Sequence, residues 1–415
     1  MRLIFALLLF FGFIRAMTLE EAISLALSKS KTLEGARLEV EASKLELSAQ
    51  RQAFLPTFFL SYRGALQAKA QELELGFLGL ENLKSSKQTV QSLQLGLRAQ
   101  LFDGGLRASL VDISRHSLSQ SKLKEIEKEQ SIKLEAGLAF IDALKNKELV
   151  EIQKKQLENV SAILTQREAF FKAGLITLSE VLQARVRLAE VLRELQRAES
   201  QLKLSLQNLQ RLTGQEVKSL SPPGDIPQVK PLEEFLKKAE QRASLKILRE
   251  QARLLSAQRQ AELSAIYPQV NLDAIYIYSD QNLAIKPRGN FQLGLSVDFS
   301  IRGLESLRRA SAIFEREKAI LASLEEEREL IRLAILQSYE EYLISMQNLN
   351  VARENLKYAE ELFRLSKKQY ENQIITGLEL LDAEASLTQA RKAEAIAKYD
   401  VFRALLTLKR NSGEL

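Results

Sequence analysis

The chain has no cysteine, no tryptophan and a single histidine, His116. Without cysteine there is no thiolate nucleophile, Cys/His metal centre, disulfide or lipid-modified cysteine. One histidine leaves almost nothing for imidazole acid–base chemistry. Glycine is sparse, and none sits in a phosphate-binding loop followed by Lys-Ser/Thr. No apolar run reaches the ~20 residues of a transmembrane helix. An excess of one charge sign is also missing: 59 Lys and Arg are interleaved with 53 Asp and Glu. That pattern marks solvated helix faces rather than a nucleic-acid footprint. No enzyme activity, cofactor, metal site or nucleic-acid partner is expected.

What the chain does have is punctuation. Residues 1–16 read as a secretory signal, with Arg2, an apolar core from Leu3 to Ile14, and a cut after Ala16. Of seven prolines, Pro222, Pro223, Pro227 and Pro231 fall in one polar stretch, 214–231, which reads as a linker. Pro56 and Pro268 each follow a helical segment and open a β-like run. None interrupts a helical pattern, where proline would remove a donor and clash with the preceding turn.

The linker separates two copies of one unit, 17–213 and 232–415. Gln94-Leu95-Gly96-Leu97 returns as Gln292-Leu293-Gly294-Leu295, and Ile176-Thr177-x-x-Glu180 returns as Ile375-Thr376-x-x-Glu379. Each copy reads helix, strand, loop, strand, long helix, reversal, helix. Apolar residues recurring at three- and four-residue spacing predict helices over roughly 18–53, 106–173 and 177–213, then 232–265, 304–373 and 377–411. The middle helix of each copy, about 70 residues, would run roughly 100 Å. Two shorter helices laid end to end match one long one, giving an antiparallel layer of rods.

Strands are expected near 57–65, 93–101, 270–278 and 291–299. The second alternates without error, Leu93, Leu95, Leu97, Ala99 and Leu101 against Gln94, Gly96, Arg98 and Gln100. A half-buried soluble sheet accounts for such strands. So does a bilayer crossing, since each has roughly the ten residues a tilted membrane strand needs. Four strands cannot close a barrel, and an open edge in lipid leaves backbone groups unsatisfied, so membrane strands require several chains to share one barrel. Glycines mark the strand-to-helix junctions at Gly104 and Gly105 in the first copy and Gly303 in the second.

The ordered set Phe54-Leu55-Pro56, Leu101-Phe102-Asp103-Gly104-Gly105 and Ala173-Gly174-Leu175-Ile176-Thr177, echoed in the second copy, resembles the TolC-like outer membrane efflux proteins over nearly the whole chain. The resemblance implies a mainly α fold with a membrane β-barrel portion: a homotrimer with one twelve-stranded outer-membrane barrel and a helical periplasmic tunnel. It implies an exit duct of a tripartite efflux or type I secretion system, served by a periplasmic adaptor and an inner-membrane transporter. The reversals near 174–177 and 373–377 become periplasmic tips. Gly174, Leu175, Gln373 and Ile374 are expected to meet the adaptor. Glu180, Tyr370, Glu379 and Asp382 match gate and aperture positions, while a gate arginine of the family aligns with Ile375. Solvated helix surface accounts equally for Glu180, Glu379 and Asp382. His116 reads as a surface or packing residue, and Arg98 and Asp298 as lumen polarity. An exported coiled-coil envelope scaffold is the competing class, and a periplasmic adaptor fits the duplicated strand–helix pattern less well.

Overall fold

The computed structural model describes residues 16–415 except 74, 76, 78, 80, 82, 228, 284–285 and 300–304. The proposed leader, apart from Ala16, and Gly303 at the second strand–helix junction therefore lie outside the described residues.

The chain forms two compact units, and each draws on both sequence repeats. The first comprises the described residues up to Ala36, then Lys124–Leu245 and Glu326–Leu415; the second comprises Arg37–Leu123 and Lys246–Glu325. The helices are α1 (Leu19–Lys29), α2 (Lys31–Gln52), α3 (Leu106–Lys172), α4 (Leu178–Thr213), α5 (Leu232–Ala239), α6 (Ala243–Leu263), α7 (Glu305–Glu371) and α8 (Gly377–Ser412). The strands are β1 (Thr57–Leu66), β2 (Glu72–Leu73), β3 (Leu83–Lys84), β4 (Thr89–Phe102), β5 (Gln269–Ser279) and β6 (Gly289–Asp298).

Two expected helices are interrupted. The run over 18–53 breaks at Ser30, which turns extended, φ −67° and ψ 113°. Its hydroxyl accepts from the Leu33 N–H at 3.2 Å, so it caps a new helix. The run over 232–265 breaks at 240–242, between α5 and α6. The two middle helices hold unbroken for 67 residues each.

In the first unit, Phe140, Ile141 and Leu144 of α3 pack with Leu209 of α4, Tyr399 and Phe402 of α8, and Ala22 of α1. Full burial of side chains of this size contributes roughly 1.5–3 kcal/mol each. The proline-rich segment read as a linker is packed onto this core. Met17 and Ser219 pair through their backbones at 3.0 Å, Leu220 is buried, and the Tyr342 hydroxyl donates to the Pro227 carbonyl at 3.3 Å.

In the second unit, the four long strands form an antiparallel sheet ordered β1-β4-β5-β6. The register carries the apolar alternation across every strand pair. Leu60 faces Leu95, Leu95 faces Tyr276, and Tyr276 faces Phe291. One face is thereby apolar apart from Thr89 and Gln91 at the start of β4, and Phe58, Leu60, Leu293 and Leu295 on it are each about two-thirds exposed. The opposite face is polar: Arg98 meets Asp273 at 2.6 Å, and Asn271 and Ser296 each reach Asp298 at 3.3 Å. Phe59 breaks the polar pattern, and the register explains it. It lies directly opposite Gly96, where its ring fills the space a Cβ would take. The segment between β1 and β4, read as a loop, carries the small β2–β3 pair and an ion pair from Lys87 to Asp280 at 2.9 Å.

Candidate gating site at the hairpin tips

The helical hairpins of the first unit end in one shared turn geometry. After α3, the Leu175 N–H reaches the Phe170 carbonyl and the Gly174 N–H reaches that of Phe171, both at 2.9 Å. After α7, the Ile374 N–H reaches Gln369 at 2.8 Å and the Gln373 N–H reaches Tyr370 at 2.9 Å. This double bond pattern satisfies the last carbonyls of a helix and needs a left-handed residue. Gly174 supplies it at φ 73°, whereas Gln373 adopts φ 60° with a side chain present. Leu175 and Ile374, just past each turn, are exposed.

Beyond the turns, the two tips receive different helix starts. Thr376 and Glu379 form a capping box for α8: the Glu379 carboxylate accepts from the Thr376 N–H at 2.7 Å, and the Thr376 hydroxyl accepts from the Glu379 N–H at 3.4 Å. Thr177 makes no such side-chain bond ahead of α4.

Behind the tips, Ile163, Ala184, Tyr370, Leu380 and Leu381 bury one another, with Phe170 and Ile375 against them. The Tyr370 ring lies 5.9 Å from that of Phe170. Burial pushes the Tyr370 phenol up. The Glu180 charge adds to that rise, while the Arg167 guanidinium opposes it by its charge and by a weak side-chain hydrogen bond. Arg167 of α3 is fully buried here and donates from Nη1 to the Glu180 carbonyl at 2.6 Å.

Of the four residues matched to a gate, the fold gathers Glu180 and Tyr370 around Arg167. Glu379 is committed to the α8 cap. Asp382 is exposed, along a groove of Leu182, Val186, Arg187 and Leu378 between α4 and α8. Ile375 adds only apolar packing, so the cation in this cluster comes from Arg167, which the sequence reading did not single out. The one trace of it in the sequence is Gly377, where the first copy has Leu178.

In the second unit, the junction from β4 into α3 turns on two consecutive left-handed glycines, Gly104 at φ 68° and Gly105 at φ 86°. A Cβ on Gly104 would collide with the Ser264 carbonyl and the Tyr267 side chain. Asp103 accepts from the Gly105 N–H at 3.0 Å, the Arg107 N–H at 3.1 Å and Arg107 Nε at 2.6 Å. Burial alone would raise its carboxyl pKa, but these bonds and the Arg107 charge outweigh it and hold the group below its ordinary value. His116, read as a surface or packing residue, is half-buried, with its Nδ1 2.7 Å from Glu250 Oε2 of α6.

Paired helical hairpins of matched length and a strand layer with one apolar and one polar face are the parts of a channel-type protein. The chain belongs to the Outer membrane efflux protein family, whose profile matches residues 22–215 and 237–414. The unmatched residues between these blocks lie mostly in the proline-rich segment. Among solved structures, the CusC channel aligns with a TM-score of 0.82 at 13% identity, covering 95% of this chain and 91% of that one. VceC from Vibrio cholerae aligns at 0.80 and 17%, covering 95% and 96%. CmeC from Campylobacter jejuni aligns at 0.79 and 15%, covering 95% and 85%. At these identities the likeness is one of fold. No curated protein matches the sequence significantly.

Proposed function

We propose that three copies of this chain close one twelve-stranded barrel in the outer membrane and form the exit duct of a tripartite efflux or type I secretion system. The observation that carries this reading is the sheet of the second unit. It has one exposed face that is apolar except for Thr89 and Gln91 at the start of β4, and it ends on β1 and β6, which have no further strand partner among the described residues. In lipid such edges must be paired, and four strands cannot pair with themselves as a barrel. Rotational symmetry joins β6 of each copy to β1 of the next. The polar face, with Arg98, Asp273 and Asp298, then lines the lumen.

In this reading the helical hairpins extend into the periplasm. Gly174, Leu175, Gln373 and Ile374 present the tips to a periplasmic adaptor, which links the duct to an inner-membrane transporter. Glu180 and Tyr370 belong to the gate. Glu379 and Asp382 place acidic charge near the aperture, where threefold repetition favours cations. The work is conduction and gating, without bond chemistry. The purified protein reconstituted in a planar lipid bilayer should give discrete cation-selective channels. Glu379→Gln with Asp382→Asn should reduce that selectivity, the glutamine retaining the α8 cap. Absence of the protein from outer-membrane fractions would contradict the reading. Cross-linking from Gly174→Cys, the sole thiol in that variant, should capture the adaptor.

A further inference from the structure

Among the described residues, Arg167 is the largest side chain with no exposed surface. Its single well-formed hydrogen bond runs from Nη1 to the Glu180 carbonyl, while Nε and Nη2 have no such partner. The Tyr370 hydroxyl, on a residue 4% exposed, makes no well-formed hydrogen bond either, and its proximity to the Arg167 guanidinium, which opposes the rise of its phenol pKa, is the nearest thing to a second partner either group has. The guanidinium occupies the space a Cβ would fill at Gly377, with Nη2 closest. Gly377 is the first residue of α8, so the cation rests at the positive end of that helix dipole. The neighbouring acids offset this only in part. The Glu180 charge acts on Tyr370, Glu379 is held by Thr376, and Glu168 is held by Arg185 at 2.8 Å.

A guanidinium keeps its charge when buried, and unsatisfied donors in a dry site carry the full cost of lost hydration. That cost exists only while the α7–α8 tip covers the α3–α4 tip. From this we infer that Arg167 is a positioning residue that biases the two tips toward separation: Gly377 allows α8 to close over the cation, and opening returns the cation to water. The four contributing residues, Arg167, Glu180, Tyr370 and Gly377, come from four different helices, so no single helix can move without altering the cluster. The consequence for conduction rests on the duct reading; the bias on the tips does not.

The test is the distance between spin labels at Lys172→Cys and Asn372→Cys, one on each tip, in trimers where labelled chains are diluted into unlabelled ones. Single-channel recording is run on the same backgrounds. Arg167→Met keeps the bulk and removes the charge; it should shift the distribution to shorter distances and lower the open probability about fivefold or more. Gly377→Ala displaces the guanidinium and should lengthen the distances and raise the open probability. Adding Arg167→Ala to Gly377→Ala should restore the short distances, since the clash is with Arg167. Unchanged distances in Arg167→Met and Gly377→Ala would overturn the inference. So would lengthening in Arg167→Met, which would make Arg167 a strut that holds the tips together. Distances that shift as stated, with no channel activity in any background, would leave the inference standing and contradict the duct.

Discussion

At Gln373 a side chain is held in the left-handed region that Gly174 occupies in the other tip. An L-residue there costs about 1–2 kcal/mol, and glycine gives back about 0.5–1 kcal/mol through unfolded-chain freedom. Gln373→Gly should therefore stabilise the protein by about 0.5–1 kcal/mol and raise its thermal midpoint. Gly174→Ala should lower that midpoint by a comparable amount. Asp103 offers a second test. Its carboxyl is held below its ordinary value of 3.8, so its contribution is complete above that value. The contribution disappears as pH falls through the lower folded-state pKa. Asp103→Asn should cost about 2 kcal/mol at neutral pH, because Arg107 loses its ion pair in a site only 12% exposed. The difference between variant and wild type, measured by denaturant unfolding, should shrink in strong acid. Gly104 and Gly105 stood out in the sequence because turn chemistry is local, whereas the cap that Asp103 makes was not read. Nor was Arg167: its burial arises where four helices meet, and no spacing along α3 announces it.

The helical elements followed the sequence where one apolar pattern ran without competition. The two 67-residue helices are of this kind. The pattern failed at Ser30, where helix-favouring residues on both sides mask a capping serine, and at 240–242, where no proline or glycine marks the break. In the sheet, strict alternation made the faces of β4 and β6 readable. Phe59 of β1 and Ile275 of β5 lie on the polar face, and the register sets both beside Gly96. The capping box of α8 is an element-scale device, and Thr376→Ala should cost about 1 kcal/mol, seen as faster hydrogen exchange in the first turn of α8. On the apolar face, Leu95→Lys should cost about 2–4 kcal/mol of membrane-inserted stability. It should deplete the protein from the outer membrane, whereas Gln94→Lys on the opposite face should not.

For the whole molecule, duplication supplies two strand hairpins per chain, and the sheet they build stops at β1 and β6. This much followed from the repeat. What the repeat concealed is that the compact units are not the repeats: each unit takes segments from both copies, because the long helices carry each copy from one unit into the other. The proline-rich segment likewise read as a spacer, yet its apolar residues belong to the core of the first unit. The central claim is that three chains share one barrel, and closure is what must be measured. The chain has no native cysteine, so paired cysteines on the terminal strands report only designed contacts. Leu60→Cys on β1, combined in turn with Leu293→Cys, Leu295→Cys or Val297→Cys on β6, should at the matching register cross-link in outer membranes to a trimer and go no further. Monomers at every register, or a ladder of ever larger species, would contradict a closed three-chain barrel.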